Sequence, residues 1–458
     1  MDTVQKSLRD SAVARWSALI IVSITMFCGY FFTDVMSPLK PLLEKDLGWT
    51  SGDYGWFTSA YGWFNVFFGM LFVGGLILDK FGARIAGLLA SGLMVVGATL
   101  KYYAIATTFP EGAMLLGHSK QVALAALGFA IFGMGVEIMG ITVSKILVRW
   151  FKGYEMALAM GLQVAVARIG TMLAMAAPLR IVKYFGTISS PLAFCLVLLI
   201  IGFLSYFIYI VMDKKLEASE EIDTTTSEDE GFSFKDLKAI FANRGFWYIA
   251  LLCVLFYSSV FPFLKYATDF FINKFNMAPE RAGDLPGLLP LGTLFLTPIF
   301  GGIYDKMGKG ATIMIIGSIL LVLIHGLFAV PALMSVPLAV VLVLLLGVAL
   351  SLVPSAMWPS VAKIIPEKQL GTAFSLIFWV QNWGLMGVPL LIGVVLEKYC
   401  IVSSTTLTDG RIQNTYDYTL PMMIFMGFGL LSLVFGILLK NADKKKGYGL
   451  ELPNVQKK

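Results

Sequence analysis

The 458-residue chain is poor in charge, in histidine and in clustered cysteine. Charged residues make up 14% of it, whereas an ordinary globular domain has about 25%. So few charges could not keep a chain that is 57% hydrophobic in water, which excludes a soluble enzyme, a disordered chain and a nucleic-acid-binding protein. The net charge of +6 therefore bears on membrane topology and not on a polyanionic partner.

Metal and cofactor chemistry also lacks its usual residues. The two histidines, His118 and His325, lie far apart, and no cysteine belongs to a C-x-x-C pair. The four cysteines are interpreted as small buried hydrophobic residues: Cys28, Cys195, Cys253 and Cys400. No nucleophile with a matching base and no phosphate-binding glycine loop is visible, so the sequence predicts no cofactor, no metal and no enzyme.

Long apolar runs dominate what is present, and the mean hydropathy is +0.79. A helix that crosses a bilayer needs about 20 such residues, whereas strands of a membrane barrel would be about ten residues long with alternating polarity. The sequence therefore predicts an all-α integral membrane protein with twelve transmembrane helices. Their expected ranges are 17–37, 54–78, 84–107, 121–147, 155–182, 190–212, 246–272, 281–304, 311–331, 335–358, 370–396 and 418–440.

One break in composition divides these runs into two sets of six. Residues 213–238 are polar, with an acidic, Thr- and Ser-rich centre that indicates a flexible tether, and residues 232–241 are typical of a short helix on the membrane surface. We expect an N-terminal six-helix bundle at 1–212, a cytoplasmic linker at 213–245, a C-terminal six-helix bundle at 246–440 and a cytoplasmic tail at 441–458. The distribution of Lys and Arg places both termini in the cytoplasm.

A repeated loop relates the two sets. GGLILDKFGAR at 74–84 follows the second run and GGIYDKMGK at 301–309 follows the eighth, with Asp79 and Asp305 separated by 226 residues. This pattern resembles the loop motif of the major facilitator superfamily, which implies two pseudo-symmetric bundles that rock around a central cavity. Asp79 and Asp305 are expected to cap neighbouring helices. The motif assigns a gating role to Asp79, Lys80, Arg84, Asp305 and Lys306.

Two opposite charges lie within predicted spans, where an ionised group is costly unless it faces a cavity or a partner. Glu137 and Arg168 are symmetric about the turn near Lys152 and Gly153, so antiparallel helices joined there place both at one depth. One interpretation is a buried ion pair that fixes helix packing. The favoured interpretation is that Glu137 binds the ammonium and Arg168 the carboxylate of a zwitterionic substrate.

Other polar and aromatic residues on neighbouring runs are predicted to complete a substrate site. Tyr30 and Asp34 share a helix face, whereas Trp358 could belong to an interfacial belt and Gln381 with Asn382 could join helices. The predicted substrate-binding residues are Glu137, Arg168, Tyr30, Asp34, Tyr61, Asn65, Tyr257, Trp358, Gln381 and Asn382.

Four further polar residues within or near spans are assigned roles outside the substrate site. Lys265 and Asp269 are expected to pair with each other, since they are one helical turn apart. Lys145 is expected to extend toward the membrane surface, with the inner vestibule as the alternative. His325 is interpreted as a packing residue with satisfied hydrogen bonds.

Three longer stretches resemble one branch of the superfamily. RWFKGYEMALAMGLQVAVARIGT at 149–171, FYSSVFPFLKYATDFF at 256–271 and AMWPSVAKIIPEKQLGTAFSLIFWVQNWG at 356–384 are similar to the lysosomal dipeptide transporters of the superfamily. The similarity extends over both halves. It implies dipeptide transport by uniport, with the glutamate of the fourth span and the arginine of the fifth at the substrate, which correspond to Glu137 and Arg168. Lys265 and Asp269 depart from the pattern.

The resulting prediction is a dipeptide transporter that works by alternating access. Uniport is slightly preferred over proton symport, because the E-x-x-E-R pattern of proton-coupled peptide symporters is missing from the first span. The alternative in the same superfamily is a carrier of organic anions or sugar phosphates that uses Arg168, with Lys145 or Lys265. A membrane scaffold or receptor without transport is a third hypothesis.

Short sequence motifs bear on the location of the protein. The chain has no N-x-S/T sequon and no evident acidic dileucine signal, which favours a bacterial inner membrane over a lysosomal membrane. The expected partners are a dipeptide and the lipid bilayer, with protons left open and no nucleic acid. We expect a monomer.

Overall fold

The computed structural model describes residues 8–110, 112–151, 153–219, 234–366, 369–408 and 410–454. We call 8–219 the N-terminal half and the described residues of 234–454 the C-terminal half. The helices of the N-terminal half are α1 (Ala12–Asp34), α2 (Lys40–Leu47), α3 (Ser51–Ser59), α4 (Trp63–Phe67), α5 (Met70–Ala106), α6 (Lys120–Phe151), α7 (Met156–Ala176), α8 (Pro178–Phe185) and α9 (Ser190–Ser219). Those of the C-terminal half are α10 (Phe234–Ala242), α11 (Arg244–Phe275), α12 (Pro279–Met307), α13 (Gly310–Ala329), α14 (Val336–Ile364), α15 (Leu370–Tyr399) and α16 (Thr419–Lys446).

Strands and 3₁₀ turns are few in this part of the chain. Two antiparallel hairpins pair β1 (Met114–Leu115) with β2 (His118–Ser119) and β3 (Ile401–Thr406) with β4 (Ile412–Tyr416). The 3₁₀ turns are Leu8–Asp10 and Ala60–Gly62. The mostly helical architecture agrees with the predicted all-α class.

Eleven of the described helices are long and apolar enough to cross a membrane. The predicted crossing at 54–78 corresponds to none of these eleven helices, because it is divided among α3, the turn at 60–62, α4 and the start of α5. Within α5, Gly82 leaves helical geometry with φ 76° and ψ 171°, a conformation that favours glycine. Tyr61 lies against Gly133 of α6 and Gly97 lies against Phe132, so the chain reverses between them and α5 completes two adjacent crossings.

Several predicted boundaries are wrong by part of a helix. The run at 155–182 ends at Ala176, and Pro178 starts the separate helix α8, because proline lacks the N–H that a continuing helix needs. The linker expected from residue 213 begins later, since α9 continues to Ser219. The acidic centre of the linker, 220–233, lies outside the described residues. The surface helix predicted at 232–241 corresponds to α10.

Charged contacts tie the first repeated loop to its own half. Asp79 accepts a hydrogen bond from Lys145 at 2.8 Å, so the partner that the structure shows for Asp79 is a lysine and not a helix N-terminus. The Lys145 side chain is half-exposed and extends to this loop. Arg84 pairs with Glu217 at 2.6 Å and with Asp213 at 3.3 Å. Asp213 is 1% exposed and also binds Arg149, although composition placed it in a solvated linker.

The second loop is held by the C-terminal segment. The Asp305 carboxylate accepts a hydrogen bond from the Asn454 side chain at 2.8 Å, which replaces the predicted helix cap. The backbone N–H groups of Lys309 and Gly310 donate to the carbonyls of Glu451 and Leu450 at 3.1 and 2.8 Å. The two loops are therefore braced by different parts of the chain. The gating role predicted for Lys80 and Lys306 stays a prediction.

Charged contacts between the halves lie on one side of the bundle. We call the side that carries Gly82, Gly308, Leu8 and Asn454 the terminal face, and the opposite side, with the β3–β4 hairpin, the distal face. At the distal face Arg180 makes two hydrogen bonds of 2.6 Å to Asp284, and Lys183 pairs with Glu280 at 2.7 Å. The Glu397 carboxylate accepts from the Gly52 N–H at 2.8 Å. The distal face is closed by contacts between the halves.

A close backbone crossing of α3 and α15 lies beneath these ion pairs. A Cβ atom at Gly393 would lie 2.5 Å from the Ser51 carbonyl oxygen and 2.8 Å from the Gly55 Cα. We expect Gly393→Leu to weaken the association of the halves here by about 1–3 kcal/mol, since overpacking forces backbone to move. The measurement is the disulfide yield between Lys183→Cys and Glu280→Cys. Gly387→Leu is the matched control, because nothing lies within 4 Å of its Cβ position, and equal yields from both variants would contradict the prediction.

Candidate substrate site

A cavity of about 280 Å³ lies between the halves, close to the lower limit of about 300 Å³ for small-ligand sites. Its lining comes from α1, α3 and the following turn, α6, α7, α11, α14 and α15. The lining residues are Tyr30, Thr33, Asp34, Thr58, Tyr61, Glu137, Arg168, Thr171, Tyr257, Phe261, Pro262, Lys265, Trp358, Phe378, Gln381, Leu385 and Pro389. Eight of the ten predicted substrate-binding residues are among them.

The break between α3 and α4 positions Tyr61. α3 begins at a capping box, in which the Thr50 hydroxyl accepts from the Asp53 N–H and the Asp53 carboxylate accepts from the Thr50 N–H. After nine residues the chain tightens into the 3₁₀ turn at 60–62, which directs the Tyr61 side chain toward α6. Its hydroxyl donates a hydrogen bond of 2.8 Å to Glu137 Oε1.

Arg168 lines the same cavity from α7. Among the residues that the structure describes, its guanidinium has no hydrogen bond and no ion pair within 4.0 Å, and Glu137 is not its partner. A self-neutralising Glu137–Arg168 pair is therefore not what the structure contains. Two opposite charges share one wall, one held by a single tyrosine and the other without a partner in the described part of the chain, which suits a ligand that carries both charges.

Lys265 is a lining residue that the predicted dipeptide site did not include, although the alternative anion site did. Its Nζ donates to Asp34 Oδ1 at 2.5 Å and to the Thr33 carbonyl at 2.9 Å, so it joins α11 of one half to α1 of the other. The predicted pairing of Lys265 with Asp269 is wrong, since Asp269 binds Lys40 instead. Two charges of opposite sign in predicted spans, Asp34 and Lys265, were the signal available in the sequence.

Two predicted residues do not line the cavity. Asn65 and Asn382 are 0% and 1% exposed, and their side-chain amides donate within their own helical segments to the carbonyls of Tyr61 and Phe378. Adjacent helix positions point about 100° apart, so Gln381 and Asn382 could not both face the cavity. The alternative in which Gln381 and Asn382 join helices applies only to Gln381, whose Oε1 accepts from the Cys253 thiol of α11 at 3.6 Å.

Trp358 lines the cavity, whereas His325 lies in the packed core. Trp358 lines the cavity and stacks on Phe378 with ring centroids 4.9 Å apart, which places it away from an interfacial belt. His325 is fully buried between Phe263 and Phe425. It is a packing residue, but the prediction of satisfied hydrogen bonds is wrong, because both ring nitrogens lack a partner among the described residues.

Fold, cavity and repeated loop together define a class. The model of the Major Facilitator Superfamily matches residues 22–389 and, in a second match, residues 266–449. The chain belongs to this superfamily. It is a multi-pass integral membrane transporter of small molecules and not an enzyme.

Within the superfamily, the chain is similar to a set of named relatives. The chain is 27% identical over 402 residues to the protein named lysosomal dipeptide transporter MFSD1 of Danio rerio, covering 84% of this chain and 81% of that protein. It is 25% identical over 400 residues to the human protein of that name, with 84% and 80% covered. Over 293 residues it is 31% identical to the Gallus gallus protein, with 60% and 62% covered.

Solved structures of low sequence identity share the fold. The nucleoside transporter NupG aligns with a TM-score of 0.64 at 16% identity, covering 93% of this chain and 99% of that one. A bacterial homologue of the human lysosomal transporter Spinster, in an inward-facing and occupied conformation, aligns with a TM-score of 0.67 at 12% identity, with 95% and 98% covered.

Proposed function

We propose that this transporter carries dipeptides, with Glu137 binding the N-terminal ammonium and Arg168 the C-terminal carboxylate. The observation that carries the proposal is that both charges line one cavity without pairing to each other in the described structure. Leaving two charges apart in a low-dielectric site is costly, and a zwitterion lowers that cost at both ends. The named relatives, which are dipeptide transporters, support the same assignment.

The carrier of simple anions is the weaker alternative. Such a carrier would gain from several unpaired cations at the site, but Lys265 is bound to Asp34 and Lys145 to Asp79. Arg168 is then the free cation among the described lining residues, and Glu137 in the same cavity would repel an anion. The tyrosine and tryptophan rings of the lining suit a peptide with apolar side chains.

The proposal also covers the transport mechanism, the location and the oligomeric state. The N-terminal and C-terminal halves act as two bundles that rock about the cavity, with the linker and the tail on the cytoplasmic side of a bacterial inner membrane. Transport is uniport by a monomer. In proteoliposomes without ion gradients we expect the dipeptide to equilibrate, and accumulation driven only by a proton gradient would contradict uniport.

Both peptide ends can be tested by ligand-induced stabilisation of the purified protein. We expect alanyl-alanine to raise the unfolding temperature, because a ligand at a hundredfold excess over Kd stabilises the folded protein by about 2.7 kcal/mol. N-acetylated and C-amidated alanyl-alanine should lose most of this stabilisation. Acetylation removes the ammonium that Glu137 binds, and amidation removes the carboxylate that Arg168 binds.

Three controls make the result specific. Glucose 6-phosphate tests the anion alternative, and stabilisation by it alone would contradict the proposal. Glu137→Gln should bind free and acetylated peptide about equally. Equal stabilisation of the unaltered protein by the free and the acetylated peptide would also contradict it.

A further inference from the structure

A buried ion cluster joins the halves at the distal face. It consists of Lys40 and Glu44, one turn apart on α2, and Asp269 on α11. Lys40 Nζ lies 2.7 Å from Glu44 Oε1 and 2.6 Å from Asp269 Oδ2. The three side chains are 0%, 5% and 4% exposed. With all three ionised the cluster carries one negative charge in excess, in a place where water cannot compensate it.

The two carboxylates differ in how their oxygens are used. Both oxygens of Asp269 accept hydrogen bonds, Oδ2 from Lys40 and the Tyr418 hydroxyl and Oδ1 from Asn273. The donors to Glu44 all reach Oε1, from Lys40, the Ser51 hydroxyl at 2.8 Å and the Tyr416 hydroxyl at 3.3 Å. Glu44 Oε2 accepts no hydrogen bond from any described residue.

The surroundings of Glu44 favour its neutral form. Burial raises the pKa of the Glu44 carboxyl, and Asp269 raises it further, while Lys40 acts in the opposite direction. The other titratable groups that face the cluster are the hydroxyls of tyrosines from α3, α11, β4 and the loop before α16, which are neutral near pH 7: Tyr54, Tyr266, Tyr416 and Tyr418. Lys40 remains the nearby cation.

Opening of the distal face divides the cluster. Lys40 and Glu44 stay together on the N-terminal half as a neutral pair, whereas Asp269, Tyr416 and Tyr418 leave with the C-terminal half. Each part then meets solvent, so the excess charge exists in a buried form only while the face is closed. Proton affinity at Glu44 is therefore tied to the state of the distal face.

We propose that Glu44 is a proton-binding site of the closed distal face, in which Oε2 takes up one proton from the distal solvent as the halves meet. One O–H bond forms and the carboxylate becomes neutral, with no other bond broken. The proton returns to the same side when the face opens, so the site regulates the conformation and is compatible with uniport. The proposal does not depend on the identity of the substrate.

The direction of the pH effect follows from this linkage. Because the closed state holds the Glu44 proton more tightly than the open state, acid stabilises the closed distal face. The stabilisation is complete below the pKa of the open state and is lost as pH rises through the higher pKa of the closed state. Between the two values the ratio of closed to open protein changes by at most about tenfold per pH unit, the limit for one proton.

The test measures the distance between the halves without substrate. Spin labels on Tyr184→Cys and Met334→Cys, which are 84% and 61% exposed, report the distal face of the full chain in lipid nanodiscs, while the four native cysteines are buried. We expect the closed fraction to rise as pH falls from about 8 to about 5. Glu44→Gln should stay at the acid-like closed fraction throughout.

Two further variants keep the outcome decisive. Glu280→Gln removes another carboxylate that joins the halves but lies at the surface, and it should retain the pH dependence. Asp269→Asn removes the excess charge by a different route, so the pH dependence should disappear there too. A pH-independent unaltered protein, or a pH shift that persists in Glu44→Gln or in Asp269→Asn, would overturn the proposal.

Discussion

Dipeptide uptake is expected to be abolished by Arg168→Gln and, separately, by Glu137→Gln. Each variant removes one charge of the pair that lines the cavity and leaves the matching end of the peptide desolvated without a partner. Truncating one member of such a charge pair costs about 2–5 kcal/mol. At 1.4 kcal/mol per tenfold, uptake should fall by roughly 30-fold to several thousandfold. The measurement is radiolabelled alanyl-alanine uptake into proteoliposomes.

The matched control is Arg244→Gln, since Arg244 is an exposed arginine at the start of α11 on the terminal face. It should transport at the unaltered rate. Both site variants should elute and unfold like the parent protein, because neither Glu137 nor Arg168 pairs with the other in the described fold. Wild-type uptake by both variants would defeat the assignment of the site.

Opening of the distal face should be strongly favoured by Lys40→Met. The substitution leaves Glu44 and Asp269 as two carboxylates in one buried place, and breaking a buried pair in this way costs about 3–5 kcal/mol. The open-to-closed ratio should rise by about two to three and a half orders of magnitude at 1.4 kcal/mol per tenfold. The measurement is labelling of Thr58→Cys, a cavity position that is 3% exposed, by a membrane-impermeant maleimide from the distal side.

A surface ion pair gives the comparison. Lys183→Met breaks the contact with Glu280, whose side chain is 31% exposed, and such a pair contributes about 0–1 kcal/mol, so labelling should change less than about fivefold. Neutralising the whole cluster with Lys40→Met, Glu44→Gln and Asp269→Asn should restore slow labelling. Parent-like labelling of Lys40→Met would show that the cluster does not hold the face closed.

Most of the architecture was accessible from the sequence because it depends on long-range averages. Hydropathy over about 20 residues locates a crossing whatever its neighbours are, and the repeated loop with Asp79 and Asp305 reports the relation of the halves. The shared depth of Glu137 and Arg168 also needed only the turn between their helices and the helical rise. Depth alone does not say which way a side chain faces, so their place in one cavity came from the structure.

The errors concern contacts that local spacing cannot encode. Lys265 and Asp269 satisfy the one-turn rule for a pair, yet each finds an opposite charge on the other half, because α1 and α2 pack against α11 only in the assembled bundle. Asp213 follows an apolar run and resembles linker, but two arginines from other helices bury it. The break between α3 and α4 was likewise invisible to a hydropathy window.

Because the distal face is closed, inhibition of this protein should depend on the side of the membrane from which the inhibitor is added. We expect a competitor added on that side to reach Arg168 only after the contacts between the halves at this face, Arg180 with Asp284 among them, have broken. Blockade from that side should therefore develop only as fast as the protein cycles. A nanobody that binds across the β3–β4 hairpin and α2, where the Arg411 guanidinium meets the Asp46 carbonyl, would hold the protein in one conformation. It would stop transport without contacting the cavity.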